Sequence, residues 1–222
     1  MSKVLLTGFE PYGKTPINPA EQVAKALDGA VIGGAQVQSL IVPNSFFQCI
    51  EVVCAAIAET QPQAVVMLGE YGGRAMITLE RLGQNLNDGR RYDLLDNAGA
   101  SLQDVMTVPG GPAAHYATLP IRAIVRDLRA AGVPADISDT AATFCCNHLL
   151  YGVLHHIATQ GLQVRAGWIH LPHLPAVAAL EENLGAPSMS VETATLGVKT
   201  AIASLQANPV DGEIPIRSRM QI

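Results

Sequence analysis

The chain has 222 residues, of which 49% are apolar and 15% charged, and its 14 basic and 19 acidic residues give a net charge of −5. This composition predicts a globular protein with one sizeable core, and we expect a single domain over residues 1–222. Because there is no run of lysines or arginines, neither nucleic acid nor a membrane surface is an expected partner. Apolar stretches are too short for a membrane span of ~20 residues or for a signal peptide, and the four cysteines lack C-x-x-C spacing, so we expect free thiols in the cytoplasm.

The first predicted elements are a strand at Val4–Leu6, a loop and a helix. The loop opens with "GFEPYGKT", in which Gly8–Thr15 fits the phosphate-loop pattern G-x-x-x-x-G-K-S/T. A nucleotide site needs inward-facing backbone N–H groups and a helix that begins at the Gly-Lys pair. Pro11 removes one of these N–H groups, and Pro16 disfavours a helix at the residue before it. A helix capped by Asn18 is favoured instead, and nucleotide binding at this loop is kept as an alternative function.

Further apolar runs are predicted as buried strands that alternate with helical patterns. The runs are Val37–Val42, Ala64–Leu68, Ala135–Ile137 and Gly167–Ile169, with helical stripes at 46–57, 121–128, 149–157 and 191–205. This alternation predicts a three-layer α/β/α sandwich around a mostly parallel, partly mixed sheet. Residues 83–118 are polar and rich in Gly and Pro, and we expect a long excursion or a hairpin there. The tail from about residue 208 has no helical pattern and is expected to be an edge strand or disordered.

Three segments that follow apolar runs carry reactive side chains, and ligands of such folds bind beyond the carboxyl ends of the strands. "LGEYGGRAMITLERLGQN" contains Glu80, "SDTAATFCCNHLLYG" places Cys146 at the start of a helix, and "AGWIHLPHLP" ends a strand at His170. A helix N-terminus and a neighbouring imidazolium favour a thiolate, so Cys146 is a candidate nucleophile. His170 is a candidate base, with Glu80 to orient its ring. Cys145, one residue earlier, is expected to face the core or the opposite wall of the site.

Two other kinds of site are less well supported by the sequence. Cys146, His148, His170 and His173 offer possible zinc ligands at short spacings, but no H-E-x-x-H or paired C-x-x-C pattern accompanies them. A serine hydrolase of the α/β-hydrolase type would require G-x-S-x-G, which the sequence lacks. We therefore do not expect a metal site.

Taken together, the segments resemble the pyroglutamyl peptidase I family of cytosolic cysteine peptidases. "GEYGGRAMITLERLGQN" matches the family's glutamate signature at every position, and "SDTAATFCCNH" resembles its cysteine segment. "GWIHLP" is similar to the family's G-F-I-H-x-P, and the N-terminal "LLTGFEPYG" is similar to L-x-T-G-F-x-P-F-G. The resemblance covers nearly the whole chain.

The resemblance implies an α/β/α fold, a homotetramer and an activity that needs no cofactor. The implied reaction is removal of N-terminal pyroglutamate from peptides through an acyl-enzyme on Cys146, with His170 and Glu80 completing the triad. Pyroglutamylated peptides would then be the partners of this chain.

The same resemblance indicates which residues meet the substrate. Phe9 and Tyr12 would clasp the flat pyrrolidone ring, which suits a small, uncharged lactam. Asn18, Glu70 and Arg90 are further expected substrate-binding residues, Arg90 also as a second candidate to stabilise the oxyanion.

The chain departs from the family pattern close to the expected pocket. Glu70 and Tyr71 stand where a Gln-Ala pair is usual, Tyr12 replaces a phenylalanine, and Ala142 replaces a glycine. A carboxylate at Glu70 would alter substrate affinity or its pH dependence. A non-catalytic relative of the peptidases is therefore the second alternative.

Overall fold

The computed structural model describes residues 2–218. Its strands are β1 (Ser2–Phe9), β2 (Val31–Ile32), β3 (Ala35–Val42), β4 (Ala64–Glu70), β5 (Ile77–Glu80), β6 (Leu82–Gln84), β7 (Ala114–Tyr116), β8 (Ala135–Ser138) and β9 (Arg165–Leu171). Its helices are α1 (Pro19–Leu27), α2 (Gln48–Thr60), α3 (Ile121–Ala130), α4 (Cys145–Thr159), α5 (Pro175–Ala178) and α6 (Val191–Ala207). Within residues 2–218, no helix combines the length and the apolar character that crossing a bilayer requires.

Seven strands form one sheet in the order β2-β3-β1-β4-β9-β5-β8. The central strands β3, β1, β4 and β9 are parallel to one another, and so are β5 and β8. β5 runs antiparallel to β9, and the short β2 runs antiparallel to β3. The prediction of a mostly parallel, partly mixed sheet is confirmed.

Helices cover both faces of this sheet. Leu6, Leu68 and Ile169 point to a core that they share with α1, α3 and α6, whereas their chain neighbours Leu5, Met67 and Trp168 point to the core beneath α2 and α4. This alternation of side chains along buried strands is the period of two that a sheet imposes. The predicted three-layer α/β/α sandwich is therefore confirmed.

The start of α1 follows the capping pattern in the sequence. Asn18 is extended, its side-chain oxygen accepts a hydrogen bond from the backbone N–H of Ala20 at 2.9 Å, and Pro19 takes the first helical position. Gly8 on β1 faces this helix, and a Cβ there would overlap the carbonyl oxygen of Ala20. The glycine thus allows α1 to lie close against β1.

The predicted excursion at 83–118 contains a small second sheet, in which β6 pairs antiparallel with β7. The five larger apolar runs predicted as strands all lie within observed strands, but β5 and β2 were not predicted. In the tail, residues 208–218 contain no strand. The Asp211 carboxylate accepts hydrogen bonds from the backbone N–H groups of Arg122 and Ala123 at the start of α3. Residues 219–222 of the predicted tail lie outside the described residues.

Candidate active site

Glu80 and His170 are brought together by the pairing of β5 with β9. In this antiparallel register Glu80 lies opposite Trp168, and Thr78 lies opposite His170. All four side chains therefore share the face of the sheet that α4 covers. The distance between Glu80 Oε1 and His170 Nδ1 is 2.7 Å, with both side chains fully buried. Nδ1 donates this hydrogen bond, which leaves Nε2 as the unprotonated nitrogen.

Arg74 is a further member of this cluster and has no counterpart in the sequence-based prediction. Its guanidinium lies 2.6 Å from Glu80 Oε1 and also donates to the hydroxyl groups of Thr78 and Ser138. The guanidinium carbon lies 3.7 Å from the centre of the Tyr71 ring, which in turn meets the His170 ring edge-on. Arg74 thus both neutralises the carboxylate and supports one side of the imidazole. Its signal in the sequence was only its place within the glutamate segment.

Cys146 is the second residue of α4, as the sequence predicted. Phe144 precedes the helix and supplies no side-chain cap, so the first N–H groups of α4 remain available to a ligand. A Cβ at Gly69 would lie 2.9 Å from Cys146 Sγ. Because Gly69 is paired in register with His170, the sulfur lies over the strand position next to the imidazole. The glycine is required there, since any side chain would occupy the space of the thiol.

The two reactive side chains line a common cavity of about 200 Å³. His170 Nε2 is buried and has no hydrogen-bond partner among residues 2–218. A larger cavity of about 420 Å³ shares the Leu94 wall but contains neither Cys146 nor His170. We assign the chemistry to the smaller cavity because a thiol and a buried, unpaired imidazole nitrogen both line it.

Burial sets the protonation states at rest. Burial, the charge of Glu80, the Cys49 thiol and the charge of Glu70 raise the pKa of Cys146 well above that of a free thiol. Burial also lowers the pKa of His170, although the hydrogen bond and charge of Glu80 oppose this. For Glu80, burial alone would raise the pKa, but His170 and Arg74 bring it below its ordinary value. The site therefore rests as a neutral thiol, a neutral imidazole and an ionised carboxylate, and the thiolate expected at the helix terminus has to form by proton transfer.

The expected substrate-binding residues fall into two groups. Tyr12 and Glu70 line the cavity. Phe9 is fully buried and packs against Trp168 at 5.6 Å between ring centres, and Asn18 is fully buried as the α1 cap. Arg90 is exposed, and it is not among the residues that line the cavity. The roles of Phe9, Asn18 and Arg90 in substrate binding stay predictions.

Several cavity residues were not singled out by the sequence. They are Asn44, Gly72, Tyr92, Leu94, Ala141 and Phe144. Ala142, which replaces the usual family glycine, also lies in the wall and has a φ of 62°, a left-handed conformation that favours glycine. At position 142, the loop before α4 therefore adopts a backbone conformation typical of glycine, although the residue there is alanine.

The loop at Gly8–Thr15 lacks the helix start that a phosphate site needs. No helix begins at the Gly-Lys pair, since α1 begins at Pro19 and Lys14 is exposed. Lys14 shares the wall of the larger cavity with the carboxylates of Asp93 and Glu182, which would repel phosphate. Of the residues that match the phosphate-loop pattern, Gly8 is explained by its packing against α1.

The four side chains considered as zinc ligands do not lie around one point, because His148 and His173 each have hydrogen-bond partners away from Cys146 and His170. His148 is fully buried, where its Nε2 accepts a hydrogen bond from the backbone N–H of Phe47, and burial lowers its pKa to about 4. His173 pairs with Glu70. Among residues 2–218, no three His, Cys, Asp or Glu side chains converge as a metal site would need. Cys145 is fully buried in the core beneath α2 and α4, which is the first of its two expected placements.

An α/β sandwich whose cavity gathers a thiol, an imidazole and a buried carboxylate has the parts of a cysteine hydrolase. Comparison with known proteins specifies the class. Residues 2–208 match the family model described as pyroglutamyl peptidase, and the chain belongs to that family.

Named relatives cover all or nearly all of the chain. The pyrrolidone-carboxylate peptidase of Mycobacterium tuberculosis (strain H37Rv) is 60% identical over 222 residues, which is all of both chains. Pyrrolidone-carboxylate peptidase 1 of Ralstonia nicotianae is 45% identical over 91% of this chain and 92% of its own. The crystal structure of pyroglutamyl peptidase I from Bacillus amyloliquefaciens matches with a TM-score of 0.91 and 39% identity, over 96% of this chain and 99% of the other. The family resemblance and the fold are confirmed.

Proposed function

We propose that this chain is a cysteine peptidase that removes pyroglutamate from the N-terminus of peptides. The carrying observation is the cavity in which Cys146 and the unpaired Nε2 of His170 meet, with Glu80 Oε1 2.7 Å from the other ring nitrogen. Family membership at 60% identity to proteins named pyrrolidone-carboxylate peptidase supports the substrate class.

Proton transfer from Cys146 to His170 starts the reaction. Because the thiol rests protonated and Nε2 rests unprotonated, the imidazole acts as a general base while the sulfur attacks the carbonyl after the pyroglutamyl ring. The imidazolium then protonates the leaving amine, and the C–N bond breaks to give a thioester. Water, activated by the same nitrogen, hydrolyses the thioester and releases pyroglutamate. Glu80 stabilises the imidazolium and holds its tautomer.

The oxyanion of each tetrahedral intermediate is expected at the start of α4. The first N–H groups of a helix have no intrahelical partner and point toward a bound anion, aided by the helix dipole. Cys146 lies at that terminus, so its attack brings the oxyanion to those donors. Arg90 remains the second candidate.

Selection for a blocked N-terminus follows from the character of the wall. Tyr12, Tyr71, Leu94 and Phe144 give the cavity a largely apolar lining. The uncharged lactam ring enters such a lining at low cost, whereas a free α-amine carries a charge whose desolvation only the Glu70 carboxylate would offset. The cavity volume of about 200 Å³ suits a single small ring rather than an extended chain.

The test is release of a fluorophore from a pyroglutamyl amide under reducing conditions, with Cys146→Ser and Cys145→Ser compared with the native chain. Cys145 is the matched control because it is the adjacent thiol and faces the core. We expect Cys146→Ser to lose at least about a thousandfold in kcat/KM and Cys145→Ser to stay within about tenfold of native. An inactive native chain with reduced thiols would instead support a non-catalytic relative.

Two properties that the family resemblance implies stay predictions. They are the homotetramer, which sedimentation analysis of the 23.4 kDa chain would test, and the cytoplasmic location. The single domain over residues 1–222 is likewise a proposal, which one cooperative unfolding transition would support.

A further inference from the structure

The only tryptophan of the chain, Trp168, has an indole N–H without a hydrogen-bond partner. Trp168 is 1% exposed, and its Nε1 is unpaired among residues 2–218. An unpaired donor at this depth costs free energy, so its place beside a reactive centre indicates a partner that forms only during the reaction. The family pattern G-F-I-H-x-P has phenylalanine at this position, so the indole N–H is a departure from that pattern.

The indole leans toward the strand ends to which the chemistry is assigned. Trp168 is paired in register with Met67 of β4, and His170 is paired with Gly69, two residues further along both strands. A Cβ at Gly69 would lie 2.5 Å from Cζ2 and 3.1 Å from Cε2 of Trp168, and 2.9 Å from Cys146 Sγ. Cε2 is the carbon bonded to Nε1. The edge of the indole that carries the N–H therefore shares the space above Gly69 with the sulfur.

Two other buried acceptors on this face of the sheet lack a partner within the described residues, and neither suits this donor. They are Glu80 Oε2 and His170 Nε2. Glu80 belongs to β5, on the far side of β9 from β4, whereas the indole extends over β4 at Gly69. His170 Nε2 takes the proton of Cys146 in the proposed reaction, and an imidazolium is not an acceptor. The thiolate formed in that step is the acceptor that remains.

The thiolate needs such a donor because most of the groups around it oppose its charge. Besides the chain neighbour Cys145, the titratable and charged groups that face the thiol are Tyr12, Cys49, Glu70, Arg74, Glu80 and His170. Burial, followed by the charge of Glu80, raises the pKa of the thiol, and Arg74 lowers it. An N–H group at the sulfur stabilises a thiolate far more than a neutral thiol, which is a weak acceptor. Such a donor acts where charge develops, and that is where an interaction accelerates a reaction.

We propose that the indole N–H of Trp168 donates a hydrogen bond to the Cys146 thiolate and so stabilises the thiolate–imidazolium pair formed by proton transfer to His170. This rests on the proposed function, because it takes Cys146 as the nucleophile, and it adds a catalytic residue that the family resemblance does not imply. The indole keeps its proton throughout. At rest the thiol is neutral and the N–H is unpaired, and proton transfer supplies the acceptor.

Replacing the indole by an isostere without the N–H tests this donor. Because Trp168 is the only tryptophan, expressing the full chain with benzothienylalanine in place of tryptophan changes this one position and puts a sulfur atom where Nε1 was. Alkylation by iodoacetamide is followed at each cysteine by mass spectrometry between about pH 5 and pH 9. Cys54 is the control within the same molecule, because it is a half-buried thiol on α2 and is not among the groups that face Cys146.

The isostere should be alkylated at Cys146 about tenfold or more slowly than the native chain near pH 7, because the thiolate has lost a hydrogen bond to a charged group. The rise of the Cys146 alkylation rate should also move to higher pH. Release of the fluorophore from a pyroglutamyl amide should fall by a similar factor in kcat/KM. Cys54 should react at the same rate in both proteins, which also shows that the fold is intact.

The indole N–H can also be observed directly, because a chain with one tryptophan gives one indole resonance after ¹⁵N labelling. In the native chain the proton resonance should move downfield over the pH range in which the alkylation rate of Cys146 rises. In Cys146→Ser, which has no thiol to ionise, this movement should be absent.

Two results would overturn the proposal. They are equal alkylation profiles of Cys146 in the isostere and the native chain, and an indole resonance that moves equally with pH in the native chain and in Cys146→Ser. Turnover of the pyroglutamyl amide together with equal alkylation profiles would leave the peptidase function standing and remove this donor. Slower alkylation of the isostere in a chain without turnover would do the reverse.

Discussion

Arg74 joins the charged, polar and aromatic parts of the candidate site. Its guanidinium contacts Glu80, lies over the face of the Tyr71 ring, and donates a hydrogen bond to the backbone carbonyl of Thr140 in the loop before α4. Its charge lowers the pKa of both Glu80 and His170. Arg74 therefore acts through Glu80 and His170 rather than on the substrate, as a positioning residue.

Replacing Arg74 by Met should lower both stability and activity. Since Arg74 is 8% exposed and its guanidinium is paired with a buried carboxylate, loss of that group should cost about 3–5 kcal/mol in the free energy of unfolding. The reaction requires an unprotonated His170, and removal of a nearby positive charge raises the pKa of that ring. The acidic limb of the kcat/KM profile should therefore move to higher pH.

Arg81→Met is the matched control for this prediction, to be compared by urea denaturation and pH–rate profiles. Arg81 pairs with Asp139 at 3.0 Å on the surface, and exposed pairs of this kind contribute about 1 kcal/mol or less. Equal losses of stability in the two variants, together with an unmoved acidic limb, would show that Arg74 has no special role.

The sequence predicted the site residues that lie in distinctive contiguous segments, and it missed those that are placed by contacts between distant parts of the chain. Glu80, Cys146 and His170 each lie in a contiguous segment whose local pattern is distinctive. Asn44 has no such segment, because what places it in the wall is a pair of backbone bonds to Glu10 and Asn97, which are distant along the chain. Contacts of this kind cannot be read from local spacing.

At the scale of elements, the apolar runs predicted the long strands but not β5. This strand has four residues, all buried, and carries a glutamate at its end. Short runs of this length are ambiguous between strand and loop, and a buried glutamate contradicts the usual pattern of a core strand. Pairing with β9 and β8 decides its structure, and that pairing is also what brings Glu80 to His170.

The packing of α1 on β1 gives a test of what the "GFEPYGKT" segment does. Gly8→Ala should destabilise the protein by about 1–3 kcal/mol, because the new methyl group would overlap the carbonyl oxygen of Ala20. Lys14→Ala should change the unfolding free energy by no more than about 0.5 kcal/mol, since Lys14 is exposed. Thermal and urea unfolding of both variants measure this. A phosphate site would give the opposite ranking in the presence of ATP, with loss of nucleotide stabilisation in Lys14→Ala.

For the whole molecule, the interior contains two carboxylates whose titration affects folding with opposite signs. Burial raises the pKa of Glu70, although His173 partly opposes this. Glu80 has a lowered pKa, because His170 and Arg74 outweigh its burial. Folding therefore favours the protonated form of Glu70 and the ionised form of Glu80. Ionisation of Glu70 destabilises the folded state, and ionisation of Glu80 stabilises it.

The pH dependence of stability should reveal these two signs in a pair of isosteric variants. A raised pKa in the folded state gives stability that is present below the ordinary carboxyl pKa of 4.5 and is lost as the pH rises toward the folded value. The free energy of unfolding of Glu70→Gln should therefore rise relative to that of the native chain over that interval. A lowered pKa gives stability that is present above 4.5 and lost as the pH falls through the folded value. Glu80→Gln should therefore fall progressively behind the native chain as the pH rises toward 4.5 and stay behind above it. Urea denaturation of the three proteins between pH 3 and pH 8 measures both curves at about 25 °C, and parallel curves for the two variants would show that burial does not distinguish these carboxylates.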